Sequence, residues 1–178
     1  SATLRNALRA PSLLTGLAYS PHGDTLVSVG DEESICLWDA RTDTLREIRH
    51  GHTGKVESAA FHPDGAIFAT GGADGRICLW DRHRPAPLHT LDGHTDFVLS
   101  LAFSPDGQWL ASCGADQTAR LWHIATNTLQ RVLTGHRGWV NAAVFAADSH
   151  TVLTGGYDQS VRLWNMNTGR QEHLLKGY

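Results

Sequence analysis

A repeat of 42 residues constrains the fold of this chain more than any other feature of its sequence. The tryptophans and glycines that recur at this interval without a gap are Trp38, Trp80, Trp122 and Trp164, and Gly51, Gly93, Gly135 and Gly177. A period of about 40–45 residues, with Gly-His near the start of a unit and Trp-Asp near its end, is typical of four-stranded propeller blades. A blade cannot bury its own faces, so each unit must be stacked between neighbours.

Within the second unit, strand-forming segments alternate with turn residues. The pattern predicts strands at 56–61, 66–70, 76–80 and 87–91, separated by turns such as His62-Pro63-Asp64-Gly65 and Ala73-Asp74-Gly75. Successive hairpins imply an antiparallel sheet. The same pattern, shifted by the period, predicts blades at about 9–50, 51–92, 93–134 and 135–176 within one propeller unit spanning residues 1–178.

Dipeptide motifs at fixed places in each unit carry a family resemblance. They are Gly51-His52, Gly93-His94, Gly135-His136, Trp38-Asp39 and Trp80-Asp81, with the close variants Trp122-His123 and Trp164-Asn165. On these residues the chain resembles the WD-repeat β-propeller family over nearly its whole length. The resemblance implies an all-β propeller of four-stranded antiparallel blades, four in this chain, with the first strand of each unit innermost and the fourth outermost.

A four-residue constellation recurs in the last three units. Its members are His52, Thr70, Asp74 and Trp80; His94, Ser112, Asp116 and Trp122; and His136, Thr154, Asp158 and Trp164. The Asp carboxylate can accept a hydrogen bond from one imidazole N–H. The other imidazole nitrogen can accept from the hydroxyl, and the hydroxyl oxygen can accept from the indole N–H. The same three side-chain types also serve in Ser-His-Asp hydrolases. Threefold recurrence with a Trp in every copy favours a structural role, and the family resemblance implies the same role.

The first unit departs from this constellation. It keeps Ser28 and Trp38, but Ala10 replaces His and Glu32 replaces Asp, so the relay cannot form there. A degenerate terminal blade is the favoured interpretation, because repeat proteins commonly have atypical terminal units. The alternative is that Glu32 is free for binding.

Ring closure is the open question of this sequence. Residues 3–8 align weakly with a fourth-type strand, which would give five outer strands for four blades and disfavours an isolated four-blade ring. An open arc would expose two broad apolar faces. The two predicted routes to closure are further blades of a longer propeller and self-association of two copies into an eight-blade ring, a number within the range of about 4–8 that propellers adopt.

The family resemblance also indicates where a partner binds. WD-repeat proteins generally bind peptides or proteins at one rim, through positions that flank the first inner-strand valine or precede the tetrad Asp. The candidate partner-binding residues at these positions are Lys55, Glu57, Phe97, Leu99, Trp139, Asn141 and Tyr157. Aromatic residues on an exposed rim are favoured as hot-spot anchors. The structural alternative is that Phe97 and Trp139 fill the top of the central channel or pack on the neighbouring blade.

Composition and charge exclude several function classes. The hydrophobic fraction of 41% and charged fraction of 19% are ordinary for a globular domain, and a net charge of −3 without long basic runs argues against nucleic acid or an anionic membrane as partner. The histidines outside the tetrads have no metal-ligand spacing, so we expect neither a metal site nor a cofactor. We expect a soluble, cytoplasmic protein.

These observations favour a non-catalytic scaffold that binds a peptide or protein on its rim, with no catalytic residue. The alternative is a regulatory or sensor propeller segment of a larger multidomain enzyme. An enzyme with a site in the central channel is disfavoured, because the tetrads account for the candidate catalytic residues.

Overall fold

The computed structural model describes residues 8–177, which form 16 strands in four antiparallel sheets. The strands of the first two sheets are β1 (Leu14–Tyr19), β2 (Thr25–Gly30), β3 (Ser34–Asp39), β4 (Thr44–His50), β5 (Val56–Phe61), β6 (Ile67–Gly72), β7 (Ile77–Asp81) and β8 (Pro87–Leu91). Those of the last two are β9 (Val98–Phe103), β10 (Trp109–Gly114), β11 (Ala119–His123), β12 (Thr128–Leu133), β13 (Val140–Phe145), β14 (Thr151–Gly156), β15 (Ser160–Asn165) and β16 (Gln171–Lys176).

Each sheet is one blade, and its strands follow chain order from the inner to the outer edge. The predicted all-β class with four-stranded antiparallel blades is therefore confirmed. Within residues 8–177 there is no apolar helix with the length that a transmembrane span requires. Apart from Leu8, the candidate outer strand at residues 3–8 lies outside the described residues.

The second strand of each blade is longer than the sequence pattern predicted. In the second blade the prediction ended at Thr70, but β6 continues through Gly71 and Gly72. A Cβ atom on Gly71 would lie 2.6 Å from Cγ1 of Val98 in the next blade, and one on Gly72 would overlap the His52 imidazole. The glycines therefore allow close backbone approach inside a strand, and do not end it.

Three hydrophobic cores join consecutive blades. We call the side of a blade that carries the tetrad Trp its leading face and the opposite side its trailing face. The trailing face of blade 1, including Val29, packs on the leading face of blade 2, including Val56 and Trp80. The same arrangement joins blade 2 to blade 3 and blade 3 to blade 4. Each core therefore needs one face from each of two blades.

The blades form an open arc. The inner strands pack in the order β1, β5, β9 and β13, and among residues 8–177 no comparable packing joins β13 back to β1. The leading face of blade 1 consequently leaves Leu14, Leu17 and Tyr19 exposed. The trailing face of blade 4 leaves Val144 and Val161 exposed. Among residues 8–177, one leading and one trailing face therefore have no neighbour.

Candidate functional site

The tetrad of blade 3 forms a continuous hydrogen-bonded relay. The Trp122 indole N–H donates to Ser112 Oγ over 2.9 Å, Ser112 Oγ lies 2.8 Å from His94 Nε2, and His94 Nδ1 lies 2.8 Å from Asp116 Oδ2. The relay connects β11, β10, the loop before β9 and the β10–β11 turn. The same contacts recur in blade 2 from Trp80 to Asp74 and in blade 4 from Trp164 to Asp158, at distances of 2.8–3.0 Å.

The chemistry of the carboxylate decides where the imidazole proton lies. Burial acts to raise the pKa of Asp116, but hydrogen bonds from His94 and Thr118, together with the charge interaction with His94, outweigh it and hold the pKa well below its ordinary value. An ionised carboxylate can only accept, so Nδ1 of His94 carries a proton, and in the neutral imidazole Nε2 is left to accept from the Ser112 hydroxyl. Every polar atom along the relay is therefore satisfied.

The relay does not present a nucleophile to a substrate. The hydroxyl-bearing residues Thr70, Ser112 and Thr154 are completely or almost completely buried. Each hydroxyl oxygen also accepts from an indole N–H. A hydrolytic serine needs an approachable oxygen and an oxyanion hole beside it. The geometry instead ties the two central strands of a blade, and the turn between them, to the loop that enters the blade.

Blade 1 keeps the half of the relay that its sequence allows. The Trp38 indole N–H donates to Ser28 Oγ over 2.8 Å. Ala10 supplies no imidazole, and Glu32 is exposed. The entry loop of this blade is therefore held without the polar connection that the other blades have.

Two repeated backbone features build the rim. The carbonyl oxygens of Leu13, Lys55, Phe97 and Trp139 each accept from the backbone N–H before the tetrad Asp position, at 2.8–3.1 Å. In each inner strand the ladder also skips one residue, which makes that residue the extra one of a β-bulge: Thr15, Glu57, Leu99 and Asn141. A bulge redirects its side chain out of the strand pattern. Each blade thus brings three side chains together at one rim. They belong to the residue whose carbonyl accepts, the bulged residue and the residue before the tetrad Asp position.

The family model for the WD domain, G-beta repeat, matches the chain at residues 3–39, 43–81, 85–123 and 127–165. The chain belongs to the WD-repeat family. Each match after the first contains the outer strand of one blade and the three inner strands of the next, so the family repeat and the structural blade are offset by one strand. No curated protein matches the sequence. WD-repeat domains generally mediate protein–protein interactions.

The WD-repeat rim has an aromatic half, formed by blades 3 and 4. The rings of Trp139 and Tyr157 stack with centroids 5.5 Å apart and planes inclined by 25°. Even in this stack Trp139 is 43% and Tyr157 66% exposed, and Phe97 in the neighbouring blade is 39% exposed. Leu99 is half-buried and Asn141 is exposed. The rim residues predicted in these two blades therefore lie on one accessible surface.

The other half of the rim is charged. Lys55 Nζ lies 3.1 Å from Asp31 Oδ1 and 3.7 Å from Glu57 Oε1, so it links the rims of blades 1 and 2. The hydrogen bond to Asp31 is the main cause of the raised pKa of Lys55. These charges already have partners in the free chain, which makes this half of the rim less available than the aromatic half.

One interblade contact had no counterpart in the sequence predictions. Arg49 is almost fully buried and donates to the carbonyl oxygens of Asp81, over 2.6 Å, and Arg82, over 2.9 Å, in the next blade. The period places Leu91 and Leu133 at the equivalent positions. The sequence signal for this contact was an arginine at a position where the repeat has leucine. In residues 8–177 no group of three or more His, Cys, Asp or Glu side chains could hold a metal ion.

Proposed function

We propose that this chain is a non-catalytic WD-repeat scaffold that binds a peptide or protein on the aromatic half of its rim. The observation that carries the proposal is the Trp139–Tyr157 stack, because both rings stay accessible after they have packed on each other. Large, rigid aromatic side chains lose little conformational entropy on binding and are enriched among interface hot spots.

The surroundings of the stack have the composition of a binding surface. Phe97 and Leu99 extend the apolar area into blade 3, and Asn141 and Arg137 provide polar groups at its margin. An apolar centre with a polar margin is the usual anatomy of a protein interface. The carbonyl of Trp139 accepts from the backbone N–H of Tyr157 over 2.8 Å, so the two loops that carry the stack are already fixed to each other. Such pre-organisation lowers the cost of binding.

The absence of catalysis is part of the proposal and rests on the tetrads. The tetrads contain the Ser or Thr, His and Asp side chains that were the candidates for catalysis. Their hydroxyl oxygens are buried and hydrogen-bonded. WD-repeat domains act in general as interaction scaffolds.

We further propose that the arc works within a larger ring. Blade 1 leaves an apolar leading face, and blade 4 an apolar trailing face, without a neighbour among residues 8–177. Both routes considered from the sequence, a second copy and further blades of a longer protein, would cover these faces. The second candidate, a regulatory or sensor propeller segment of a larger multidomain enzyme, would also cover these faces if that protein supplied further blades.

The rim proposal can be tested without knowing the natural partner. Twelve-residue peptides selected from a random phage library on the wild-type chain are measured by calorimetry against Trp139→Ala, Tyr157→Ala and Phe97→Ala. Loss of a hot-spot residue worth about 2 kcal/mol weakens binding about 30-fold. The matched control is Leu129→Ala, since Leu129 is similarly exposed but lies on an outer strand. Thermal midpoints should stay nearly unchanged. Equal losses in the control, or losses that follow unfolding, would contradict the proposal.

A further inference from the structure

The three internal joints between blades share one central contact. Val98 of blade 3 packs over Gly71 of blade 2, where an added Cβ would lie 2.6 Å from Cγ1 of the valine. Shifting by the period gives the corresponding pairs Val29 with Val56 and Cys113 with Val140, and the members of each pair share one hydrophobic core. The three valines on the leading faces are completely buried.

The two open faces carry the equivalents of these two positions, and the residues there are complementary in size. On the trailing face of blade 4 the position is Gly155, and a Cβ built there meets no atom within 4 Å. On the leading face of blade 1 the position is Leu14, which is 42% exposed where the equivalent valines have no exposure. The larger residue therefore stands on one open face, and the residue without a side chain stands on the other.

Each open face also carries a groove without charged side chains. The trailing face of blade 4 forms a groove of about 190 Å³ lined by Ala142, Val144, Leu153, Thr154, Gly155 and Val161. The leading face of blade 1 forms one of about 150 Å³ whose lining includes Leu14, Leu17, Leu26 and Trp38. Neither groove is lined by a charged side chain. Burial of these two grooves would therefore leave no unpaired charge within them.

We propose that the occupant of each open face is a second copy of this chain, joined head to tail, with Leu14 of one protomer packed over Gly155 of the other. The inference rests on the proposal that the arc is completed by further blades, and it names which blades they are. Two copies related by a twofold axis make this joint twice, so no face remains open. The product is a ring of eight blades, within the range of about 4–8 found in propellers.

Crosslinking of two variants that each carry one added cysteine tests the register directly. In the equivalent joint, a Cβ at Gly71 lies 2.9 Å from the Cβ of Val98, so a small shift brings a cysteine pair within disulfide reach. Leu14→Cys and Gly155→Cys chains are mixed and mildly oxidised. The native thiols of Cys36, Cys78 and Cys113 are buried and do not compete. We expect a covalent heterodimer from the mixture and no covalent dimer from either variant alone. Homodimers of one variant, or no crosslink at all, would overturn the proposed register.

Association is then measured by sedimentation with variants that act only in the closed ring. Gly155→Leu adds a side chain where the isolated arc has open space, so it should weaken dimerisation about ten- to hundredfold without unfolding the chain. Combining Leu14→Val with Gly155→Val reproduces the Val29–Val56 pair of the first joint and should restore most of the affinity. Val161→Asp should disrupt the dimer, whereas Val132→Asp, at an equally exposed position of an internal blade, should not.

The outcomes separate the two levels of the proposal. A chain that sediments as a folded monomer refutes completion of the arc by its own copies and removes the need for further blades. Large assemblies without a defined size, and without the crosslink, refute the second copy but leave completion by other blades as the explanation of the open faces.

Discussion

Replacing the tetrad serine of blade 3 gives the sharpest test of the relay. Ser112→Ala removes an oxygen that accepts from the Trp122 indole N–H over 2.9 Å and donates to His94 Nε2 over 2.8 Å. Ser112 is completely buried, so water cannot replace it. Each buried polar group left without a partner costs about 1–3 kcal/mol, so the two orphaned groups predict a loss of about 2–6 kcal/mol in the free energy of unfolding.

Blade 1 supplies a matched control for this substitution. Ser28 stands at the equivalent position and is also buried, but its relay partner is the Trp38 indole alone because Ala10 replaces the histidine. Ser28→Ala therefore orphans one relay group instead of two, and its expected cost is about 1–3 kcal/mol. Both variants make the same chemical change at the same place in a blade. The difference between their losses in the free energy of unfolding therefore measures the contribution of the hydrogen bond to the imidazole.

Urea unfolding followed by circular dichroism measures both free energies. Repeat proteins can unfold in parts, so hydrogen exchange of peptides from β10 and β2 is needed to show which blade has lost protection. We expect Ser112→Ala to lose about 1–3 kcal/mol more than Ser28→Ala, with the loss concentrated in blade 3. Equal losses in the two variants would refute the relay as a source of stability.

Further predictions concern pH, thiol reactivity and packing. Because the pKa of Asp116 is lowered in the folded chain, its stabilising contribution is complete above about pH 4 and is lost as the pH falls below that value; Asp116→Asn should therefore flatten the acid side of the urea-midpoint profile. Burial raises the pKa of Cys113 to about 12 and of Cys78 to about 11, so Ellman's reagent at pH 8 should modify both thiols only as fast as the chain unfolds. Gly72→Ala should destabilise the chain by about 1–3 kcal/mol because its Cβ would overlap the His52 imidazole, whereas Gly155→Ala should not destabilise an isolated arc, and thermal melts of both variants compare the two effects.

Much of the fold was predictable because the repeat supplies its own alignment. Turn residues and strand patterns in one unit define the blade, and the period transfers them to the others. The fourth unit has Ala147-Asp148-Ser149 where the second has a Pro-Asp-Gly turn, yet its turn is built in the same way, with Ser149 at a φ of 57° in place of the glycine. The local sequence therefore differs from the repeat at this turn, but the hairpin geometry is the same.

Other features depend on partners that the linear sequence does not reveal. The strand prediction stopped at Thr70, but β6 continues through Gly71 and Gly72, whose lack of a side chain leaves room for Val98 and His52. The bulges that place Leu99 and Asn141 on the rim follow from how two strands align, which a single strand cannot show. The rim positions themselves came from the family resemblance, and their role in binding stays a prediction.

The native mass of the chain is the most direct test of how the open arc is completed. Native mass spectrometry and sedimentation equilibrium are carried out across micromolar concentrations of the wild-type chain of 19.4 kDa. We expect a defined species of two chains, about 39 kDa, that binds peptide at the rim of each chain. A folded chain that remains at 19.4 kDa over the whole range would contradict it.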